Sequence, residues 1–355
     1  MLIPYFYVNV DISYRAKGEY LFFKGLNHKN ITSLIIKLLF NMRGKVSQEE
    51  DSVQDFLSTS CDSASCVTVG NFDGVHVGHM QLIDKLHEIA DQNKLRSIAL
   101  TFSPHPGEFF SKKSLKLLMP LKTRVYRLKK AGVDQVKVIE FSKSFSKLSY
   151  IEFLDHLIEH YQLKQLIIGK NTHIGKARQG SPEKIKDYLE KKQIQVTVLE
   201  IHKVEGDYVS SSKIREYVAQ GAIDKANQLL GYAYVLSGPV VKGSGQGTGL
   251  GFPTANLNYQ KDLCIPKNGV YRTTVELDGK KLPALTNIGQ APTIKNSKET
   301  TIESYIPQYK GMALYGKVIK LNFYERIRAE KKFSSIEALQ EQIKKDLDKL
   351  DHFIK

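Results

Sequence analysis

Short apolar runs alternate with longer amphipathic runs along the chain from Cys66 to about residue 200. The apolar runs are, in order, CVTVG, RSIALTF, QVKVIEF, QLIIG and IQVTVLEI. Alternation of this kind is typical of β–α units, so we predict an α/β fold with a doubly wound parallel sheet. In such a sheet, ligands bind at the carboxyl ends of the strands.

The pattern changes at about residue 232, where Gly-rich and β-branched stretches begin. Asp278 and Gly279 separate two strand-like runs and suit a type I′ hairpin turn. The second half therefore predicts a small antiparallel β-barrel. Apolar residues then recur at spacings of three and four and predict a C-terminal helix that covers the barrel: Ile336, Leu339, Ile343, Leu347 and Leu350.

A chain of 355 residues is long enough for two domains, each with a substantial core. We divide it into an N-terminal extension of unknown role (residues 1–60), an α/β domain (61–231) and a barrel domain (232–355). The most apolar stretch of the extension, Ile31–Phe40, includes Lys37 and is about half as long as a membrane span. We expect no membrane-spanning segment.

The formal net charge is +15, and the Lys and Arg residues are spread along the chain. Such a surface attracts anions, which leaves nucleic acid, an acidic membrane surface and phosphorylated small molecules open as partners. The cysteines Cys61, Cys66 and Cys264 show no C-x-x-C spacing, so neither a disulfide framework nor a zinc knuckle is implied. This cysteine content favours a reducing, cytoplasmic location.

The turn after CVTVG carries His76, Gly78 and His79. An amphipathic run follows, so we predict that a helix begins at about His79. The free N–H groups and the dipole of a helix N-terminus favour an anion. Gly78 would let a phosphate approach the backbone, and the two imidazoles could donate to phosphate oxygens during nucleotidyl transfer.

Two other interpretations of the histidine pair remain open at this point. A metal site would need a third ligand, which the stretch does not clearly supply. A purely structural pair is the second alternative. The chain has no G-x-x-x-x-G-K-[ST] and no G-x-G-x-x-G after its first strand, which disfavours a P-loop enzyme and a Rossmann dehydrogenase.

The stretch GNFDGVHVGH resembles the HxGH box of the nucleotidylyltransferase superfamily, whose sheet is Rossmann-like. The stretch VSSSKIREYVAQG is similar to the second signature of that superfamily. Arg215 would neutralise developing phosphate charge. The resemblance implies ATP contacts from Gly70, Asn71, Phe72, His76, Gly78, His79, Asn171, Ser210, Ser211 and Arg215.

Three stretches between these signatures resemble the prokaryotic riboflavin kinase/FAD synthetase family: TFSPHP, AGVDQVKVIEFSKSF and IIGKNTHIG. The family pattern G-x-D/N-F-x-F-G reads GKNTHIG here, so Asn171 is retained while Thr172 and Ile174 replace aromatic residues. If those aromatics stack on a base or a flavin, this site should bind more weakly.

The second half opens with glycines at 243, 245, 247, 249 and 251, followed by Pro-Thr-Ala-Asn. Such a loop can close over phosphates as a nest of N–H groups. On an extended segment, Thr254 and Asn256 point to one side, and phosphate oxygens could complete a magnesium shell around their oxygens.

The resemblance continues through nearly all of residues 232–350. It implies that Glu303 is the base that deprotonates riboflavin and that Arg328 and Glu330 bind the flavin. It also implies ATP contacts from Gly243, Gly245, Gly247, Gly251, Pro253 and Thr254, and metal contacts from Thr254 and Asn256. The chain departs from the family pattern at Gln246, Thr248, Ala291, Tyr305 and Gln308, which could alter flavin or nucleotide affinity.

The sequence thus predicts a cytoplasmic enzyme that phosphorylates riboflavin to FMN with ATP and Mg²⁺, and then adenylates FMN to FAD. Its expected partners are these small molecules, without nucleic acid or membrane. One alternative is another small-molecule nucleotidylyltransferase with a degenerate barrel. A second is an RNA-binding protein on the same scaffold, because the chain is basic and aminoacyl-tRNA synthetases share an HxGH-like box.

Overall fold

The computed structural model describes residues 63–110, 115–200, 203–243, 251–292, 298–309, 311 and 313–351, together with the backbone of two strands near the N-terminus. Those two strands, β1 (Ile12–Ala16) and β2 (Glu19–Phe23), pair antiparallel. They belong to a compact unit, Met1–Asp51, separate from the unit that contains the rest of the chain.

A parallel sheet of five strands forms the first part of the larger unit, with the order β5-β4-β3-β6-β7. Its strands are β3 (Ser65–Val69), β4 (Arg96–Ser103), β5 (Gln135–Glu140), β6 (Leu163–Gly169) and β7 (Gln195–Leu199). Each of the apolar runs in the sequence forms one of these strands. The prediction of a parallel α/β sheet is therefore confirmed.

Helices cover both faces of this sheet. Successive strand residues point to opposite sides, so apolar strands present an apolar surface to a helix layer on each face. Cys66 packs with Ile83 and Leu86 of one helix layer, while its neighbour Val67 packs in the other layer. The helices are α1 (Val77–Asn93), α2 (Pro106–Phe110), α3 (Leu121–Lys130), α4 (Tyr150–Tyr161), α5 (Pro182–Glu190), α6 (Ser211–Gln220) and α7 (Ile223–Leu230). Two short strands, β8 (Lys203–Val204) and β9 (Asp207–Tyr208), precede α6.

A closed antiparallel barrel follows, with the order β10-β11-β14-β13-β12-β15. Its strands are β10 (Tyr234–Val241), β11 (Thr254–Leu257), β12 (Gly269–Leu277), β13 (Lys280–Pro292), β14 (Lys298–Tyr305) and β15 (Val318–Arg328). Asp278 and Gly279 turn the β12–β13 hairpin with φ of 47° and 78°. Both values are positive, as a type I′ turn requires, so the predicted hairpin is confirmed.

The C-terminal helix α8 (Ile336–Asp351) covers the barrel most closely with its last turns. Leu350 is buried against Val270 and Leu285, and Leu347 packs beside it. Ile336, in contrast, is 58% exposed. The predicted apolar face is therefore wrong at its first residue, because the apolar contacts of the helix lie at Leu347 and Leu350, near its other end.

Helices α6 and α7 share one apolar core with the barrel. Asn227 of α7 fixes their position: its Nδ2 donates to the Phe323 carbonyl at 2.9 Å, and its Oδ1 accepts from the Tyr234 N–H at 2.7 Å. The barrel is thus packed directly on the end of the α/β part. Within the described residues, no helix is both long and apolar enough to cross a membrane.

Candidate active sites

The histidine turn leads from the carboxyl end of β3 into α1. His76 is the N-cap of α1, and its Nδ1 accepts the His79 N–H at 3.2 Å. Because Nδ1 is an acceptor, the proton of the neutral ring lies on Nε2. The helix begins at Val77 instead of His79, since the imidazole provides the cap that Ser or Asp usually provides.

The rings of His76 and His79 stack, with centroids 3.5 Å apart and planes at 13°. Burial, together with the nearby Arg215, lowers the pKa of His76 to about 4. Burial, His76 and Arg124 hold the pKa of His79 well below its usual range. Both rings are therefore neutral at pH 7, so they present hydrogen-bonding groups and not fixed charges. The Nδ1 atom of His79 is buried and has no hydrogen-bond partner among the described residues.

The residues before the histidines form the support of the turn. Phe72 has a φ of 50°, and its fully buried ring meets the His79 ring edge-on at 5.1 Å. A Cβ on Gly70 would lie 3.2 Å from that ring, so a side chain would crowd this position. The carbonyl of Asn71 accepts from the Thr101 hydroxyl at 3.0 Å. The Phe72 side chain supports His79 from the core, so any contact of Phe72 with ATP would come from its backbone.

The second signature forms the start of α6 and meets the histidine turn. Ser210 is the N-cap of α6, and its hydroxyl accepts the Lys213 N–H at 3.2 Å. The Ser211 hydroxyl donates to the carbonyl of Asp73 at 2.8 Å. Arg215 Nη2 lies 2.6 Å from Asp73 Oδ2 in an ion pair. The structure thus brings together the two predicted signatures, which lie far apart in the sequence.

Asn171 lies in an open cleft of about 580 Å³ beside this junction. The cleft is lined by Lys170, Asn171, Glu200, Lys203, Tyr208, Val209 and Ser210. Val209 also lies next to Gly78, at 3.5 Å from the position of a Cβ on that glycine. The predicted residues Asn171 and Ser210 therefore share one cleft that borders the histidine turn.

A second group of predicted residues meets on the barrel. Thr254 and Asn256 of β11 are half-buried and alternate with the buried Ala255. Asn256 lies opposite Glu303 of β14 in the sheet register. The Thr254 hydroxyl donates to Glu303 Oε2 at 3.3 Å. The structure therefore places a hydroxyl, an amide and a carboxylate side by side.

The glycine loop approaches this group through Gly243. A Cβ at Gly243 would lie 2.2 Å from the Asn256 side-chain nitrogen, so only glycine leaves room for that amide. Gly251 has a φ of 83°, and Pro253 is exposed. The described residues do not include Gly245 and Gly247, whose contacts with ATP were predicted. They also do not include Gln246 and Thr248, where the chain departs from the family pattern.

Two family models match the chain: FAD synthetase over residues 58–213 and riboflavin kinase over residues 230–354. The bifunctional riboflavin kinase/FMN adenylyltransferase of Listeria monocytogenes is 34% identical over 80% of this chain and 91% of its own length. The Bacillus subtilis protein of the same description is 33% identical over 79% of this chain and 90% of its own length. The chain belongs to the bifunctional riboflavin kinase/FMN adenylyltransferase family.

A member of this family phosphorylates riboflavin to FMN and adenylates FMN to FAD, so the chain is a riboflavin kinase and an FAD synthetase. The fold agrees with a crystal structure described as a macrolide-efflux protein from Streptococcus pneumoniae. That structure superposes with a TM-score of 0.78 at 27% identity, over 83% of this chain and 96% of its own. The alternative of a degenerate barrel is disfavoured, because the riboflavin kinase model matches the whole barrel. The polar residues Thr254, Asn256 and Glu303 also lie together in it.

The predicted flavin residues of this riboflavin kinase, Arg328 and Glu330, contact other parts of the barrel domain. Both Nε and Nη2 of Arg328 lie 2.8 Å from Oδ2 of the buried Asp346 on α8. Glu330 accepts from Asn268 Nδ2 at 2.9 Å. No contact among the described residues joins Arg328 to the proposed base Glu303, so the flavin-binding role of Arg328 and Glu330 stays a prediction.

Sequence reasoning missed two residues near the histidines of the FAD synthetase part. Arg124 is 2% exposed, and its Nη1 donates to the Asn71 carbonyl, the Thr101 hydroxyl and the Phe102 carbonyl. Burial lowers the pKa of His105 to about 4. His105 lies in the stretch TFSPHP, which could have indicated it, whereas only the helical spacing from Arg124 to the buried Leu128 could have indicated a buried arginine.

An aromatic group at the carboxyl ends of β4 and β5 was also missed. Phe109 and Phe110 are 39% and 68% exposed. Each ring lies edge-on to that of Phe141, with centroids 5.4 and 5.7 Å apart. Ile174, by contrast, is buried in the core beside the sheet and bridges to Gly180. Ile174, one of the two predicted departures from the family pattern, is therefore a core residue.

Proposed function

We propose that adenylyl transfer takes place where the histidine turn meets α6. The observation that carries this assignment is the junction itself: Ser211 and Arg215 are both bonded to Asp73, next to the stacked His76 and His79. A phosphate oxygen of FMN attacks the α-phosphorus of ATP, a P–O–P link forms, and pyrophosphate leaves. Negative charge develops on the α-phosphate oxygens during this step and needs positive potential nearby.

The residues of this junction supply that potential in different ways. The neutral rings of His76 and His79 donate hydrogen bonds, and the N-terminus of α1 adds its partial positive charge. Arg215 carries a full positive charge, and its side chain is 14% exposed. Asn171 and Ser210 line the adjoining cleft and are proposed to hold the rest of ATP.

We propose that riboflavin phosphorylation takes place at Thr254, Asn256 and Glu303. Glu303 takes the proton of the 5′-hydroxyl as that oxygen attacks the γ-phosphorus of ATP, and ADP leaves. Hydroxyl and amide oxygens suit Mg²⁺. Because Gly243 has no Cβ, its backbone can lie close to the Asn256 amide. When bound, Mg²⁺ would neutralise phosphate charge at these residues.

Magnesium would depend on the phosphates for most of its ligands. Among the described residues, no group of three or more His, Cys, Asp or Glu side chains could hold a metal ion. Asn256→Ala should therefore raise the Mg²⁺ concentration for half-maximal FMN formation, while FAD formation from added FMN keeps its Mg²⁺ dependence. Asn258→Ala, an exposed amide two residues further along, is the matched control. An unchanged Mg²⁺ dependence in Asn256→Ala would contradict the metal assignment.

We further propose that Phe109, Phe110 and Phe141 receive the isoalloxazine ring of FMN. Exposed aromatic rings at the carboxyl edge of a parallel sheet favour stacking with a flat ligand. They would supply the aromatic surface that Thr172 and Ile174 lack. Phe110→Leu should raise the KM for FMN in FAD formation, whereas Phe110→Tyr, which keeps an aromatic ring, should have the KM of wild type. Equal KM values in all three proteins would rule the platform out.

The remaining assignments are the domain limits and the location. We propose an FMN adenylyltransferase domain at 61–231, a riboflavin kinase domain at 232–355 and an extension of unknown role at 1–60, supported by the matched ranges. We also propose a cytoplasmic location, supported by the free thiols of Cys66 and Cys264. Mass spectrometry of the native N-terminus tests the extension.

A further inference from the structure

Asp73 lies at the centre of the FAD synthetase junction although it is outside the HxGH residues. Its side chain is 1% exposed, and its carboxylate pairs with Arg215. Its own carbonyl accepts the Ser211 hydroxyl. One residue therefore contacts the second signature with both its side chain and its backbone.

The backbone of Leu118 holds the same carboxylate from the other side. The Leu118 N–H lies 3.1 Å from each carboxylate oxygen of Asp73. The carboxylate is thus held by the Leu118 backbone as well as by Arg215. A guanidinium that pairs with a fixed carboxylate is held in one direction, because its donors have a rigid planar arrangement.

A loop of the barrel contacts the segment before Leu118 and the backbone of Arg215. The Leu117 N–H donates to the Asp262 carbonyl at 2.8 Å, and the Cys264 N–H donates to the Leu117 carbonyl at 2.7 Å. The Cys264 thiol in turn lies 3.7 Å from the Arg215 carbonyl. Leu118 and Arg215 are therefore both attached to the segment Asp262–Cys264.

Stability alone is a weak reason for this arrangement. Removing a charge pair from water costs about as much as the attraction returns, so a buried pair often adds little net stability. The Nε of Arg215 is also buried without a hydrogen-bond partner among the described residues. The side chain thus gives up one hydrogen bond while its Nη2 is held at Asp73, which points to orientation as the purpose of the pair.

We propose that Asp73 is a positioning residue for adenylyl transfer: it aims the Arg215 guanidinium at the α-phosphate of ATP, and the barrel loop keeps it aligned. This inference rests on the proposed role of Arg215. Asp73 itself touches neither substrate, and it acts only through Arg215.

The test compares Asp73→Asn, Arg215→Ala and the double variant in the full-length protein. Asparagine keeps an oxygen for the Leu118 N–H but removes the charge that holds Arg215. We expect kcat for FAD formation from FMN to fall at least tenfold in Asp73→Asn, and the double variant to be no slower than Arg215→Ala. Riboflavin phosphorylation by the same molecules should stay within twofold, which shows that they are folded. Asp187→Asn, an exposed carboxylate on α5, is the control for the change in charge.

Each other outcome overturns a defined statement. The positioning role would be overturned if Asp73→Asn formed FAD at a rate within twofold of wild type while Arg215→Ala was impaired. Losses that multiply in the double variant would also overturn it, because independent residues give additive free energies. Full activity in Arg215→Ala would instead remove the proposed role of Arg215. If Asp73→Asn also loses kinase activity, Asp73→Ser is measured in the same way, and loss of both activities there would make Asp73 a folding residue.

Discussion

Acid should destabilise this protein through His76, because the folded state keeps that ring neutral. Its pKa is lowered to about 4 from an ordinary value of 6.5. Between these two values the unfolded chain takes up a proton that the folded protein refuses. The stability is therefore complete above about pH 6.5 and falls as the pH drops, until the loss is full near pH 4.

The structure gives the size of this effect. One proton contributes about 1.4 kcal/mol per pH unit, and titration is partial at both ends of the range, so a lowered pKa of His76 corresponds to about 2 kcal/mol between pH 6.5 and 4.5. Protonation of Nδ1 would also remove the cap of α1, which fits the lowered pKa. The same reasoning applies to His79 and His105, whose pKa values are also lowered by burial.

His76→Asn isolates the contribution of this ring. Asparagine is among the best N-cap residues, so its side-chain oxygen can replace Nδ1 without a titrating group. We expect wild type to lose about 2 kcal/mol more than His76→Asn between pH 6.5 and 4.5. Urea unfolding followed by circular dichroism measures this, since the chain has no tryptophan for fluorescence. Equal losses in the two proteins would refute the lowered pKa of His76.

Two further predictions concern the barrel domain and its contact with α6. Gly221→Ala should lower the melting temperature more than Gly279→Ala. Both glycines have φ near 80°, but only at Gly221 would the new Cβ lie 2.6 Å from Arg326 Cδ. Equal melting temperatures of the two variants would contradict this steric contact. Asp346→Asn should raise the KM for riboflavin, because it removes the charged partner that holds Arg328. FAD formation from FMN should be unchanged. An unaltered KM for riboflavin in steady-state assays would argue against a contact of Arg328 with the flavin.

Most of the fold was predictable from local patterns. The apolar runs and the Asp278-Gly279 turn carry their own physical reasons, namely burial on both sheet faces and positive φ in a two-residue hairpin. The exposure of Ile336 was not predictable, because the spacing of apolar residues shows which face of a helix is apolar but not how much surface there is to cover.

The site divides in the same way. The histidines, the serines and Glu303 could be identified because they occur in short motifs. Asp73 occurs in such a motif too, but its importance comes from contacts with residues distant in the sequence. Arg124 was hidden for another reason: burying a charge is costly, so an arginine in a helical pattern suggests an exposed side chain. Only the folded protein shows the carbonyl groups that receive it.

The central claim is that two separate sites make FMN and then FAD, and one measurement tests it most directly. Wild type, Glu303→Gln and Arg215→Ala are each incubated with ATP and Mg²⁺, and with either riboflavin or FMN, and the flavins are separated by chromatography. We predict that Glu303→Gln makes no FMN from riboflavin but converts added FMN to FAD, whereas Arg215→Ala accumulates FMN and makes little FAD. Loss of both reactions in either variant, with the fold retained by circular dichroism, would contradict the account.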